Sequence, residues 1–134
     1  MSVLSLILNE EIENAFINGK TLLMYYIDSY NESAALELLK KSNIKYNKID
    51  RFGYTALFRA VISNMKKLAL ELLKKKDIFY NLKDPYGYTI LMYSILENMN
   101  ELSLELLKKK NLNYNQINSD GETALILLCK KKYI

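Results

Sequence analysis

Residues 50–83 read DRFGYTALFRAVISNMKKLALELLKKKDIFYNLK, and residues 84–117 read DPYGYTILMYSILENMNELSLELLKKKNLNYNQI. The two stretches share one register: a turn with a glycine, a threonine two residues later, an apolar run, the segment LELLKK and a Tyr-Asn pair. The glycine and threonine markers also recur before and after these stretches at a spacing of 34 residues, at Gly19, Gly53, Gly87 and Gly121 and at Thr21, Thr55, Thr89 and Thr123. A fixed period of this length predicts a repeat architecture in which each unit packs against its neighbours.

Each unit has a physical interpretation as a turn followed by two helices. The glycine supplies a positive φ, the threonine caps the first helix, and Asn64 and Asn98 suit a left-handed helix end. We expect first helices near 21–30, 55–64, 89–98 and 123–132, and second helices near 33–41, 66–76 and 100–110. Leu72 and Leu106 should lie in the seam between units.

A turn of the form Asp-x-x-Gly-x-Thr, a short helix, a second helix ending in Leu-Leu and an asparagine before the next turn resembles the ankyrin repeat. The resemblance covers residues 16–134 and implies an all-α, ankyrin-type helical repeat solenoid. The proline and histidine usual after the threonine are absent, which suggests a plainer apolar seam. A 34-residue period also suits tetratricopeptide repeats, but those lack the long Tyr-Asn-x-x-Asp-x-x-Gly segment found here.

The register also predicts how the chain is organised. We expect one domain over residues 1–134, with units starting near 16, 50, 84 and 118 and a helix over residues 1–18 that caps the first unit. The fourth unit is incomplete, because it stops after its first helix. Ile126, Leu127 and Leu128 then need either the final lysines, a partner or a further segment to cover them.

The residue inventory argues against catalysis. The chain has 134 residues, of which 50% are hydrophobic and 25% charged, as in a soluble globular protein. It has no histidine and one cysteine, so Ser-His-Asp, Cys-His and common zinc sites are excluded. We expect Cys129 to be a small core residue, and Asp50, Asp84 and Asp120 to be turn carboxylates. The sequence predicts no catalytic residue, no cofactor, no metal and no small-molecule substrate.

The same inventory bears on location. A single cysteine suits a reducing compartment. The apolar run at residues 3–8 is short and is followed by acidic residues, which is unlike a signal peptide. No apolar run approaches the length of a transmembrane helix. The sequence therefore predicts a cytoplasmic protein with no membrane partner.

The ankyrin resemblance implies that a protein partner binds on the concave side, at the turn tips and the outer faces of the first helices. The candidate partner-binding residues are Arg51, Phe52, Tyr54, Arg59, Pro85, Tyr86, Tyr88 and Tyr93. We expect Phe52, Tyr54, Tyr86 and Tyr88 to form an exposed row, since exposed aromatic rings are enriched in interfaces. The alternative is that these rings pack along neighbouring tips and only stiffen the stack. The leading hypothesis is a non-catalytic protein–protein interaction module.

A second hypothesis rests on charge. Residues 1–39 contain one basic and six acidic residues, whereas residues 40–134 contain 18 basic and nine acidic residues. Stacked units would align six lysines in a ridge: Lys74, Lys75, Lys76, Lys108, Lys109 and Lys110. Such a ridge, together with the basic C-terminus, could bind nucleic-acid phosphates or another anionic surface, as in an accessory protein of a ribonucleoprotein. The alternative is that these lysines complement helix ends and keep the protein soluble.

Overall fold

The computed structural model describes residues 15–133. They form a short hairpin followed by seven helices. The strands are β1 (Phe16–Ile17) and β2 (Lys20–Thr21), and the helices are α1 (Leu22–Asp28), α2 (Glu32–Leu39), α3 (Ala56–Ile62), α4 (Lys66–Leu73), α5 (Ile90–Leu96), α6 (Asn100–Leu107) and α7 (Ala124–Tyr133). None of these helices combines the length and the apolar character needed to cross a bilayer.

The helices form two layers. The first helices α1, α3, α5 and α7 pack in sequence order, and the second helices α2, α4 and α6 form a parallel row behind them. Within each of the first three units, the first helix packs on its own second helix. This is the predicted helical repeat solenoid in the predicted 34-residue register.

The N-terminal hairpin differs from the prediction. β1 pairs antiparallel with β2 through Phe16–Thr21 and Ile17–Lys20, and Asn18 and Gly19 make the turn with φ of 52° and 74°. Asn-Gly favours this tight hairpin because both residues tolerate positive φ. The predicted capping helix over 1–18 is therefore wrong at residues 16–18, and its residues 1–14 lie outside the described part of the chain.

The first helices begin within one residue of the predicted starts, and the first three end two residues before the predicted ends. The Thr21, Thr55 and Thr89 hydroxyls accept hydrogen bonds from the backbone N–H groups of Met24, Phe58 and Met92, at 3.2–3.3 Å. Thr123 does the same for the N–H of Ile126, at 3.3 Å. Asn64 and Asn98, which follow α3 and α5, have φ of 59°, so the predicted left-handed ends are confirmed.

The second helices are shorter than predicted. They end at Leu39, Leu73 and Leu107, so the lysine clusters that follow lie beyond the helices. Met65 and Met99 begin α4 and α6 without a side-chain cap of their own. The carboxylate of Glu32, in the preceding unit, instead accepts a hydrogen bond from Leu68 N–H at 3.2 Å. One unit therefore helps to start the second helix of the next.

The core runs along the seam between the two layers. Leu72 and Leu106 are fully buried, as their predicted position in the seam between units requires. Phe58 and Leu57 of α3 are also fully buried, between the first helices on either side. Because the buried positions recur in each unit, the core is continuous through the stack rather than centred on one unit.

Candidate partner-binding surface

Three turn tips, at residues 50–54, 84–88 and 118–122, are held by one side chain each. Asp50 Oδ1 accepts hydrogen bonds from the N–H groups of Phe52 and Tyr54, both at 2.9 Å. Asp84 makes the same pair of bonds in the next tip. In the last tip, Asn118 accepts from the N–H groups of Asp120 and Glu122. The prediction of turn carboxylates is confirmed: Asp50 and Asp84 hold their tips, and Asp120 lies exposed in the last tip, which Asn118 holds.

Neighbouring tips are in close contact. A Cβ added to Gly87, whose φ is 80°, would lie 2.8 Å from Asn118 Cα and 2.9 Å from Ile117 O. A Cβ added to Gly53 would likewise lie 3.2 Å from Pro85 Cδ. Ser119 N–H also donates to Tyr86 O at 2.8 Å. The tips therefore form a fixed row rather than three independent loops.

The second carboxylate oxygen of Asp50 pairs with Arg59. Arg59 Nε lies 2.7 Å from Asp50 Oδ2, and a terminal nitrogen of the same guanidinium contacts that oxygen too. The other terminal nitrogen lies 2.7 Å from Asp28 Oδ1, and Lys20 Nζ lies 2.6 Å from Asp28 Oδ2. The Asp50 side chain is fully buried, and that of Arg59 is 16% exposed. Arg59 therefore joins the first unit to the second and presents little of its charge to a partner.

Asp84 uses its second oxygen differently. Its Oδ2 accepts hydrogen bonds from the hydroxyls of Tyr93 and, at 3.3 Å, of Tyr54. Burial raises the pKa of Tyr93 above its usual range, and the hydrogen bond to Asp84 and the charge of Asp84 raise it further. Burial and the Asp84 charge also raise the pKa of Tyr54. Both hydroxyls are therefore held as neutral donors to a buried carboxylate.

Four rings of the second and third units pack together around these hydroxyls. Tyr54 and Tyr93 each meet Phe58 edge to face, with ring centroids 5.7 Å and 6.1 Å apart, and Tyr88 stacks on Tyr93 at 5.2 Å. Tyr54 and Tyr88 are half-buried. The prediction that both are exposed is wrong, because their rings turn inward onto the first helices. The Tyr54 and Tyr88 rings instead fit the alternative interpretation, in which the rings pack along neighbouring tips and stiffen the stack.

The other half of the predicted row is exposed. Phe52 is 54% exposed and Tyr86 is 62% exposed, and Arg51 and Pro85 beside them are exposed as well. The Arg51 guanidinium lies 5.4 Å from the centre of the Phe52 ring. Next to Phe52 is a hollow of about 200 Å³ that Tyr54, Arg59, Ile62 and Ser63 also line. The structure therefore divides the eight predicted residues into four that face outward at the tips and four that lie behind them, half-buried.

The lysine ridge is largely engaged within the chain. Lys74 and Lys108 pair with Glu71 and Glu105 of the helices that they follow, at 3.1 Å and 2.9 Å. Lys75 and Lys109 each donate to the last carbonyl of the preceding second helix, Leu39 O and Leu73 O, at 3.1 Å. Lys76 and Lys110 are exposed. The bonds of Lys75 and Lys109 match the interpretation of lysines that complement helix ends.

The last unit exposes apolar side chains. Ile126 and Leu128 are exposed, whereas Leu127 is buried. Cys129 is also exposed, so its prediction as a core residue is wrong. The equivalent residues of the two preceding units are less exposed: Ile95 is half-buried and Val61 is fully buried. Position in the repeat predicts burial only where a neighbouring unit follows.

Comparison with known families agrees with this architecture. The family model for ankyrin repeats (3 copies) matches residues 2–84. A search of curated proteins finds no match. The sequence resemblance rested on residues 16–134, so the match begins earlier and ends at the first residue of the tip at 84–88. Beyond residue 84, the same tip geometry, threonine caps and helix register continue to α7. The chain therefore belongs to the ankyrin repeat family.

Proposed function

We propose that the protein is a binding module for another protein, which it contacts through the turn tips and the outer faces of its first helices. Ankyrin repeats are generally protein–protein interaction modules and are typically non-catalytic. The observation that carries the proposal is the pair of exposed rings, Phe52 and Tyr86, on adjacent tips that are fixed against each other. Neither ring is needed for the core, and exposed apolar surface of this kind marks interaction sites.

The eight predicted residues have two roles in this proposal. Arg51, Phe52, Pro85 and Tyr86 contact the partner, since they are exposed. The side chains of Tyr54, Arg59 and Tyr93 hold the tips through Asp50 and Asp84, the Tyr88 ring stacks on Tyr93, and all four offer the partner only their edges. A rigid surface loses little conformational entropy when it binds, which favours affinity.

The test compares baits that differ only at these rings. The whole chain, the Phe52→Ala/Tyr86→Ala variant and the Phe79→Ala variant are immobilised and used to retain proteins from a lysate, which mass spectrometry identifies. Phe79 is the matched control, because it is an exposed ring in the loop after α4, outside the tips. A protein retained by the whole chain and by Phe79→Ala, and lost from the double variant, is the expected partner.

With that partner in hand, truncating both rings should weaken binding by about 2 kcal/mol or more, the range of hot-spot residues. Normal binding by the double variant would show that the tips are not the site. The ribonucleoprotein hypothesis makes the opposite prediction: Lys74, Lys75, Lys108 and Lys109 changed to glutamine would abolish binding, and affinity would fall steeply with salt. A cytoplasmic location, which the sequence predicts, is part of the same proposal.

A further inference from the structure

The last unit leaves a groove where every other unit is covered. Leu73, at the end of α4, is 2% exposed, whereas its equivalent Leu107, at the end of α6, is 56% exposed. Leu91 of α5 is 4% exposed, whereas its equivalent Leu125 of α7 is 68% exposed. The residues have the same chemistry, so the difference comes from what packs on them.

The earlier units show what that covering element is. α4 packs on α2 and on its own first helix α3, and α6 packs on α4 and α5 in the same way. Among residues 15–133, no second helix packs on α6 and α7. The space it would take is a groove of about 620 Å³, whose apolar lining includes Leu104, Leu107, Leu125, Leu128 and Tyr114. The groove therefore has the apolar lining that a second helix of the repeat would cover.

A backbone carbonyl at the end of the groove indicates that the occupant carries a positive charge there. Lys75 donates to Leu39 O at the end of α2, and Lys109 donates to Leu73 O at the end of α4. The next carbonyl in this series is Leu107 O at the end of α6. No side chain that the structure describes donates to it. The last carbonyls of a helix carry partial negative charge and favour a nearby cation.

We propose that this groove binds an amphipathic helix of another protein, with the pattern of the chain's own second helices. The helix has about two turns, presents leucines spaced as Leu102 and Leu106 are in α6, and ends in a lysine or arginine that donates to Leu107 O. A symmetric pair of two copies fits less well. In each copy Lys109, the lysine that would have to reach Leu107 O of the other copy, already donates to Leu73 O of its own chain. This site is separate from the tips, so its failure leaves the proposed function standing.

The probe for the test is a peptide with the sequence of residues 99–111, MNELSLELLKKKN, labelled with fluorescein and stabilised as a helix by a side-chain staple on its outward face. A short helix needs such a staple because it is marginal in water on its own. Fluorescence anisotropy is measured as the whole chain is added. We expect saturable binding, at least tenfold weaker to the Leu125→Asp variant and unchanged for Ile62→Asp. Ile62 is a matched control, since it is exposed on α3 and lies outside the groove.

A second pair of probes checks the occupant's chemistry. A peptide in which glutamine replaces the lysine that corresponds to Lys109 should bind about fivefold more weakly. A peptide in which alanine replaces the two leucines that correspond to Leu102 and Leu106 should not bind. Circular dichroism melts confirm that both protein variants fold. Three outcomes would overturn the proposal. These are the absence of binding, binding that Leu125→Asp does not weaken, and a dimer in sedimentation velocity that Leu125→Asp abolishes and the peptide does not displace.

Discussion

At the scale of single residues, each turn tip is held by the side chain at the same position of the repeat, and this side chain has a different second partner in each unit. Asp50 pairs with Arg59, Asp84 pairs with two tyrosine hydroxyls, and Asn118 pairs with the carboxylate of Glu122 through its amide at 3.2 Å. In each case one side-chain oxygen holds the tip backbone, and the remaining atom finds a partner behind it. The tip geometry is therefore common to the units, whereas the partner differs.

This difference allows a test of the Arg59 ion pair with a built-in control. The Arg59→Leu variant leaves the Asp50 carboxylate buried without its cation, so the free energy of unfolding should fall by about 2–3 kcal/mol. The loss is below that for a fully buried pair, because Arg59 keeps some contact with water. The Asp50→Asn/Arg59→Leu variant reproduces the pair that the last unit has at Asn118 and Leu127. It should recover more than about 1 kcal/mol of the loss.

Urea unfolding followed by circular dichroism measures four proteins under the same conditions: the unchanged chain, Asp50→Asn, Arg59→Leu and the double variant. The interpretation fails if the double variant is as unstable as the sum of the two single changes, Asp50→Asn and Arg59→Leu. That result would mean that the carboxylate is not stranded by the loss of the guanidinium.

Some of these residues could be predicted from the sequence and others could not. The threonine caps follow from the register alone, because the residues that form each cap are three apart in the chain. The contact of Arg59 with Asp28 joins residues 31 apart, and nothing local to either residue indicates it. The prediction of an exposed aromatic row is wrong at Tyr54 and Tyr88 for a related reason. The period shows that Tyr54 and Tyr88 are equivalent, but it does not show that their rings turn toward the first helices while Phe52 and Tyr86 turn outward.

At the scale of the element, the two helices of a unit are started by different means. The first helices carry their own threonine cap, whereas α4 takes a hydrogen bond from Glu32 of the preceding unit. The lysine that reaches back to the preceding second helix works in the opposite direction. The helix α4 is therefore tied to the preceding unit at both ends, whereas α2 has its own cap, since Ala34 N–H donates to Asn31 Oδ1 at 3.2 Å.

The cap of α5 can be tested directly. Thr89 is buried, and its hydroxyl accepts from Met92 N–H at 3.2 Å, so Thr89→Ala leaves that donor without its partner. We expect the free energy of unfolding to fall by about 1 kcal/mol. Thr89→Ser keeps the hydroxyl and should lose much less. Equal losses in the two variants, measured in the same urea titrations, would show that the methyl group rather than the cap stabilises the helix start.

The boundaries of the elements were less predictable than their existence. Leucine spacing predicts the second helices correctly, but it does not show that they stop at Leu73 and Leu107 rather than continuing through the lysines. Lysine is a good helix former, so propensity favours the longer helix. The side chains of Lys75 and Lys109 instead reach the preceding unit, a contact between units that is not visible in one unit's sequence.

At the scale of the whole molecule, stability should depend on the interfaces between units. A repeat stack gains its stability from each unit and from each contact between neighbours, without a single central core. The stack is short, so losing one interior interface removes a large part of the total. The two ends differ from the interior, as the exposure of Leu107 and Leu125 shows.

Leu72→Ala tests this view, because Leu72 is fully buried in α4, whose neighbours are α2 on one side and α6 on the other. The cavity should cost about 2–5 kcal/mol of unfolding free energy. In so short a stack, the loss should reach the units on both sides of α4. Amide hydrogen exchange should therefore report faster exchange in α1 and in α5 together with α4.

Leu104→Ala is the matched control: it removes the same atoms from a leucine that is 60% exposed, and it should leave the melt nearly unchanged. A melt that Leu72→Ala leaves unaltered would mean that the seam between units is not what holds the stack together. Faster exchange confined to α4 would mean that the units unfold independently of their neighbours.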